Sequence, residues 1–168
     1  MSIYSLKSVL ATFSKPNGKK RTIYNLSPVG GISSTFVGLF FLSLPFIEFA
    51  LIFNPTVFNM LGIAQSIVFF IVFLSVVMII IFLVTWMINR AVLKKISPSW
   101  ESYFPGVDLK MVLSSGVTPY SDFFRSLAKV SDLKEEELYQ ALKEAFLEME
   151  EKNRDLVEAI LKDRSRDR

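Results

Sequence analysis

Residues 32–53 read ISSTFVGLFFLSLPFIEFALIF, and residues 60–88 read MLGIAQSIVFFIVFLSVVMIIIFLVTWMI. Crossing the hydrocarbon core of a bilayer as an α-helix takes about 20 apolar residues, so each block is long enough to span. The linker between them, NPTVFN at 54–59, is short enough only to reverse the chain. The expected fold is an all-α membrane protein. It comprises a two-helix transmembrane hairpin, an N-terminal amphipathic helix and a small C-terminal cytoplasmic helical region. The second block holds 29 residues. At the rise of an α-helix that is about 43 Å, against a core of roughly 30 Å, so this helix is expected to tilt or to project beyond the membrane.

Charge orients the hairpin. Residues 1–47 carry five bases (Lys7, Lys15, Lys19, Lys20, Arg21) and no acid. Arg90, Lys94 and Lys95 follow the second block, while the connecting NPTVFN is uncharged. Basic residues flanking the spans mark the cytoplasmic side, which places both termini in the cytoplasm and the linker outside. From Ser97 onward, 11 bases face 15 acids, so the C-terminal region is acidic. The first apolar block exceeds the roughly 7–15 residues of a signal-peptide core, and no Ala-x-Ala-like site follows it, so an uncleaved anchor is expected. The Lys-, Ile- and Phe-rich, cysteine-free composition suggests a bacterial cytoplasmic (inner) membrane.

Composition also narrows the chemistry. The chain has no cysteine and no histidine. Disulfides, thiolate chemistry, the commonest general base and the commonest metal ligand are therefore missing, and neither a metal site nor a cofactor is expected. Glu101, Asp108 and Asp122 form no recognisable catalytic constellation, and an enzyme is not expected.

The expected organisation is a basic arm over 1–29, the hairpin over 30–95 with helices at 32–53 and 60–88, and a helical domain over 96–168. In the arm, Ile3, Leu6, Val9, Leu10 and Phe13 recur at helical spacing. Beside a membrane this pattern suggests a helix lying in the interface; packing on a partner or on the chain's own cytoplasmic part would give the same pattern. Lys15, Lys19, Lys20 and Arg21, with Arg90, Lys94 and Lys95, are the expected contacts to anionic head groups. That neighbour explains the patch better than a nucleic acid does.

Within the first span, Gly30, Ser34 and Gly38 recur every four residues as a small-residue stripe, a packing face for the sibling helix or another subunit. Pro45 removes one helical hydrogen bond, favouring a kink near Phe41. Glu48 is the only charge between Arg21 and Arg90. Symmetry about the turn sets it level with Gln65, next to Ser66, and an interhelical polar clamp is expected there, with ion handling or a contact to another subunit as alternatives. Trp86 suits an aromatic belt.

After Lys95, Ser97-Pro98 is expected to break the helix, with Trp100, Tyr103 and Phe104 holding a linker against the membrane surface. Helices are expected at 108–115, 118–129 and 132–162, the last opening with an Asp132/Glu135 capping box. Leu138, Leu142, Phe146, Met149, Leu156 and Ile160 form its apolar stripe; in a compact bundle the helix at 118–129 is expected to cover part of it, and the rest is the expected docking face for a second copy or another subunit. The functional expectation is a non-catalytic integral-membrane subunit of a larger complex, of the secretion or transport type, bound to lipid, to other membrane subunits and to a cytoplasmic protein. The alternative is a homo-oligomeric channel using the Gly30/Ser34/Gly38 face and Glu48.

Overall fold

The computed structural model describes residues 4–114, 123–130, 132–155, 158 and 162. Apart from one isolated bridge between Ser14 and Lys20, the regular structure of these residues is helical. α1 spans Leu6–Phe13, a 3-10 turn spans Ser27–Val29, α2 spans Ser34–Ile52 and α3 spans Pro55–Tyr103. Three shorter elements follow: α4 (Leu109–Leu113), α5 (Phe123–Val130) and α6 (Glu135–Lys152). The chain divides into a terminal unit, Met1–Thr22 with Leu93–Arg168, and a central unit, Ile23–Val92.

α2 and α3 are both long and apolar enough to cross a membrane. The 19 residues of α2 give about 28 Å, close to the thickness of a bilayer core. α2 runs through Pro45 to Ile52. The link to α3 is Phe53–Asn54, shorter than the apolar pattern suggested. The Asn54 carbonyl accepts from Phe58 N–H at 2.8 Å and its side-chain oxygen from Thr56 N–H at 3.0 Å. With Pro55 at the first helical position, Asn54 starts a helix six residues ahead of the greasy run. That first segment ends at Gly62, whose φ of 76° and ψ of 166° break the helical path before it resumes.

The terminal unit is built around Trp100, which is 1% exposed. Its ring lies edge-on to Phe13, Phe123 and Phe146 at 6.0–6.1 Å and against Phe104 at 4.7 Å. Its indole N–H donates to the Val107 carbonyl at 2.8 Å. Three sequence expectations are corrected here. Pro98 does not end α3, which continues to Tyr103. The missing proline N–H costs about 3 kcal/mol, but Ile96, Trp100 and Phe104 on either side of it are all buried, each contributing roughly 1.5–3 kcal/mol. Trp100 and Phe104 therefore form core rather than a membrane-surface linker. α1 does not offer its apolar face to a membrane interface, because Leu6, Val9, Leu10 and Phe13 are buried within the unit.

The third correction concerns α6. Leu138, Leu142, Phe146 and Met149 are buried in this same core: α5 covers the stripe as the bundle expectation had it, and α1 and the aromatic cluster, not a partner, cover the rest of these four residues. Phe146 stacks on Phe123 at 5.1 Å. Leu156 and Ile160 lie outside the described residues, as do the expected helix start at Thr118, the acid at Asp122 and the chain end from 163.

Polar contacts close the unit. Glu135 does not complete a capping box on α6, whose flanking Lys134 makes no side-chain cap. Its Oε1 accepts instead from Leu6 N–H at 2.6 Å, at the start of α1, and from the Tyr103 hydroxyl at 3.3 Å. A carboxylate at a helix N-terminus satisfies an orphan donor and complements the dipole. Tyr4 N–H donates to Ser99 Oγ at 3.1 Å. A turn over residues 14–20 packs against α5, where a side chain on Gly18 would run into the Ala128 backbone and Phe124 carbonyl at 2.6 Å.

Trp100→Ala removes the side chain that four aromatic neighbours share. It should destabilise the terminal unit by about 3–5 kcal/mol, read as a lowered denaturant midpoint in detergent by circular dichroism. A loss below about 1 kcal/mol would contradict its place as the centre of the core.

Candidate functional site

The polar groups of the central unit are few and sit in apolar walls. Glu48, on α2, borders a groove of about 470 Å³ whose other walls are Ile52, Leu61, Phe69, Val72, Phe73 and Val76. Its Oε2 is buried and has no hydrogen-bond partner. Ser66 Oγ is likewise buried and unpartnered. Two other serines, one on each helix, show the usual solution: Ser43 donates to the Phe40 carbonyl at 2.7 Å and Ser75 to that of Ile71 at 2.8 Å.

The expected Glu48–Gln65 clamp is not formed. Gln65 is exposed, and its side-chain oxygen lies 3.3 Å from where a side chain on Gly62 would begin. Mirror symmetry about the turn assumes that α3 follows one axis from its start. The break at Gly62 removes that assumption. The rings of Phe49 and Phe53 both meet Phe70, at 5.9 and 6.4 Å, so the neighbours of Glu48 come from further along α3.

The small-residue stripe is also altered. Gly30 has φ 80° and closes the 3-10 turn, ahead of α2. Ser34 and Gly38 remain on α2, and with Val37 and Phe41 they border a cavity of about 30 Å³ opposite Ile81, Val84, Thr85 and Ile88. A side chain on Gly38 would meet nothing within 4 Å. The face is thus turned toward the sibling helix without the close backbone approach that would require glycine. Segment 23–29 joins the same region: Tyr24 N–H donates to Asn89 Oδ1 at 2.7 Å, and Tyr24 and Val29 are buried.

The basic residues divide by use. Lys20 Nζ donates to the carbonyl of Leu113 at the C-terminus of α4, a position where a cation complements the helix dipole. Burial holds the Lys20 pKa below the usual lysine range. Arg21 Nε donates to the Ser14 carbonyl at 2.9 Å. Lys15, Lys19, Arg90, Lys94 and Lys95 are exposed, and the Arg90 guanidinium lies 5.3 Å from the Trp86 ring centroid. Sequence reasoning missed Glu135 as the residue that joins α6 to α1. Only its capping-box spacing singled it out, and that signal pointed to its own helix.

No protein-family model, curated protein or solved structure matches the chain.

Replacing Glu48 tests whether the carboxylate is a cost to α2. A carboxylate at mid-bilayer costs about 2.5–3.5 kcal/mol, and Glu48 lies nearer the end of its helix, so Glu48→Leu should favour insertion by up to about 2 kcal/mol. The check is the inserted fraction of α2 in a membrane-insertion assay. Poorer insertion of the leucine variant would contradict the reading of Glu48 as an unpaired polar group.

Proposed function

We propose that the chain is a non-catalytic integral-membrane subunit of a larger membrane complex, of the secretion or transport type. The carrying observation is where its apolar surface lies. Of the 27 large apolar side chains exposed among the described residues, all but Leu133 and Leu147 fall between Ile32 and Met87. Phe36, Met60 and Phe82 are 74%, 81% and 70% exposed. Soluble monomers rarely expose contiguous apolar patches beyond a few hundred Å². A lipid core covers such a surface at no cost in backbone hydrogen bonds, because both segments are helical.

On this reading α2 and α3 form a transmembrane hairpin. The terminal unit contains both ends of the chain, so both ends share one side of the membrane. Lys15, Lys19, Arg90, Lys94 and Lys95 assign that side to the cytoplasm by the positive-inside rule, and the uncharged turn faces outward. Trp86 and Arg90 belong to the interfacial belt.

The terminal unit then serves as a rigid cytoplasmic platform. With the stripe of α6 buried, its remaining face offers Glu136, Glu137, Glu144, Glu148 and Glu151, all exposed, around an exposed Leu147. Such a face suits a partner with basic residues and favours rapid, salt-sensitive association. The absence of cysteine and histidine from the sequence favours a scaffold over a catalyst. A homo-oligomeric pore is the weaker reading. Glu48 gives it one polar group, but the stripe that would line it has lost Gly30 to the turn before α2.

Purification of the tagged chain from native membranes in mild detergent tests the subunit reading. Other gene products should co-purify in fixed ratio, and Glu144→Lys with Glu148→Lys should release a cytoplasmic component while leaving the chain folded. A closed ring of identical copies with no other polypeptide would overturn the subunit reading in favour of the pore.

A further inference from the structure

Glu48 carries the only charge from Thr22 to Asn89. Among the described residues no hydrogen bond or ion pair reaches its carboxylate, and its Oε2 is buried without a partner. Ionisable groups within membrane spans almost always pair with one another or face a polar cavity. The groove that Glu48 borders is otherwise apolar, so the pairing group has to come from outside the chain. The groove is open to a neighbour. Phe69, Val72 and Val76 on its wall are 55%, 56% and 48% exposed, so a helix laid along it covers apolar area that the chain leaves bare.

A second copy of this chain supplies no cation at that depth. Its bases flank the other end of the spans: Arg21 precedes α2, and Arg90 follows Ile88, which borders the same small cavity as Ser34 at the start of α2. Glu48 lies 14 residues beyond Ser34, about 21 Å along the helix. The exposed Gln65 of a second copy is a neutral amide and leaves the carboxylate's charge uncompensated. Of the two cationic side chains, arginine fits better. Its planar fork pairs with a carboxylate through two parallel hydrogen bonds, stacks on aromatic rings and is less strongly hydrated than lysine. We propose that the groove docks a transmembrane helix of a different polypeptide, which carries an arginine at the depth of Glu48. The guanidinium pairs with the carboxylate, and the apolar side chains around it lie on Phe69, Val72 and Val76. The inference rests on the membrane-subunit reading and names the chemistry of one partner.

The test places the full chain in phosphatidylcholine vesicles with a synthetic leucine-rich transmembrane helix and reads their association by resonance energy transfer. The helix carries one arginine about 6 Å from its outer end, matching Glu48 four residues before Ile52. It should associate at least about tenfold more tightly than the same helix with leucine at that position. Glu48→Gln should abolish the preference. Ile47→Glu with Glu48→Leu keeps one carboxylate at nearly the same depth but moves it about 100° round α2, and should abolish it too. Val76→Phe, which fills the groove, should weaken the arginine helix by at least about fivefold, while Ile79→Phe, at an exposed position outside the groove, should leave it within about twofold. Circular dichroism checks that each variant is folded. Full binding by the moved carboxylate would reduce the effect to attraction of opposite charges in lipid and overturn the proposal. Equal binding of the leucine helix would overturn it, as would Glu48-dependent self-association that the arginine helix does not displace, which identifies a second copy as the occupant. The co-purification described above reads the subunit proposal separately: a chain with fixed partners that ignores the arginine helix overturns the groove alone.

Discussion

Most of the apolar surface of α2 and of α3 up to Met87 has no cover among the described residues, and that is the constraint on which the account of the molecule rests. Phe36, Met60 and Phe82 expose most of their area, while the terminal unit has already committed its own apolar side chains to Trp100 and its neighbours. A lipid environment satisfies both facts together. It also accounts for a helix that is almost purely Ile, Val, Phe, Leu and Met through its middle and becomes polar outside from Asn89 onward. In water the same surface would drive association.

Within the terminal unit the decisive interaction is aromatic. Trp100 draws on α1, α3, α5 and α6 at once, so α1 cannot leave to lie on a membrane without opening the core. Glu135 reinforces the arrangement by accepting from the first amide of α1. A hydrogen bond to a charged group contributes about 1.5–3 kcal/mol, comparable to burying one large side chain. Residues far apart in sequence thus share one core, and the basic arm is part of a folded body rather than a free tail.

The existence of the elements was legible because it depends on local pattern. The two apolar blocks, the helical spacing of Leu6, Val9, Leu10 and Phe13, and a short helix beginning at Asp108 are all visible in sequence. What covers each amphipathic face was not legible, since periodicity names a face and not its neighbour. Periodicity leaves α1 open between a membrane interface and the chain's own body, and leaves the part of the α6 stripe beyond its preceding helix open to a partner; in the fold α5 covers α6 and α1 supplies part of the rest. Pro98 misled for the same reason: a local penalty was outweighed by burial that only the tertiary fold reveals. The Glu48–Gln65 pairing failed because one glycine, Gly62, changes the path of α3 after the turn. The stripe lost Gly30 because the two glycines before α2 form a turn, which spacing alone does not distinguish from a helix.

The central claim is that α2 and α3 cross a membrane with both chain ends on one side, and single-cysteine labelling tests it most directly. The chain has no native cysteine, so Thr56→Cys in the turn region and Lys143→Cys on α6 each report one position. With a membrane-impermeant thiol reagent on intact cells, Thr56→Cys should label at once and Lys143→Cys only after permeabilisation. Labelling of both positions from the same side, or recovery of the chain in the soluble fraction after alkaline extraction, would contradict the account.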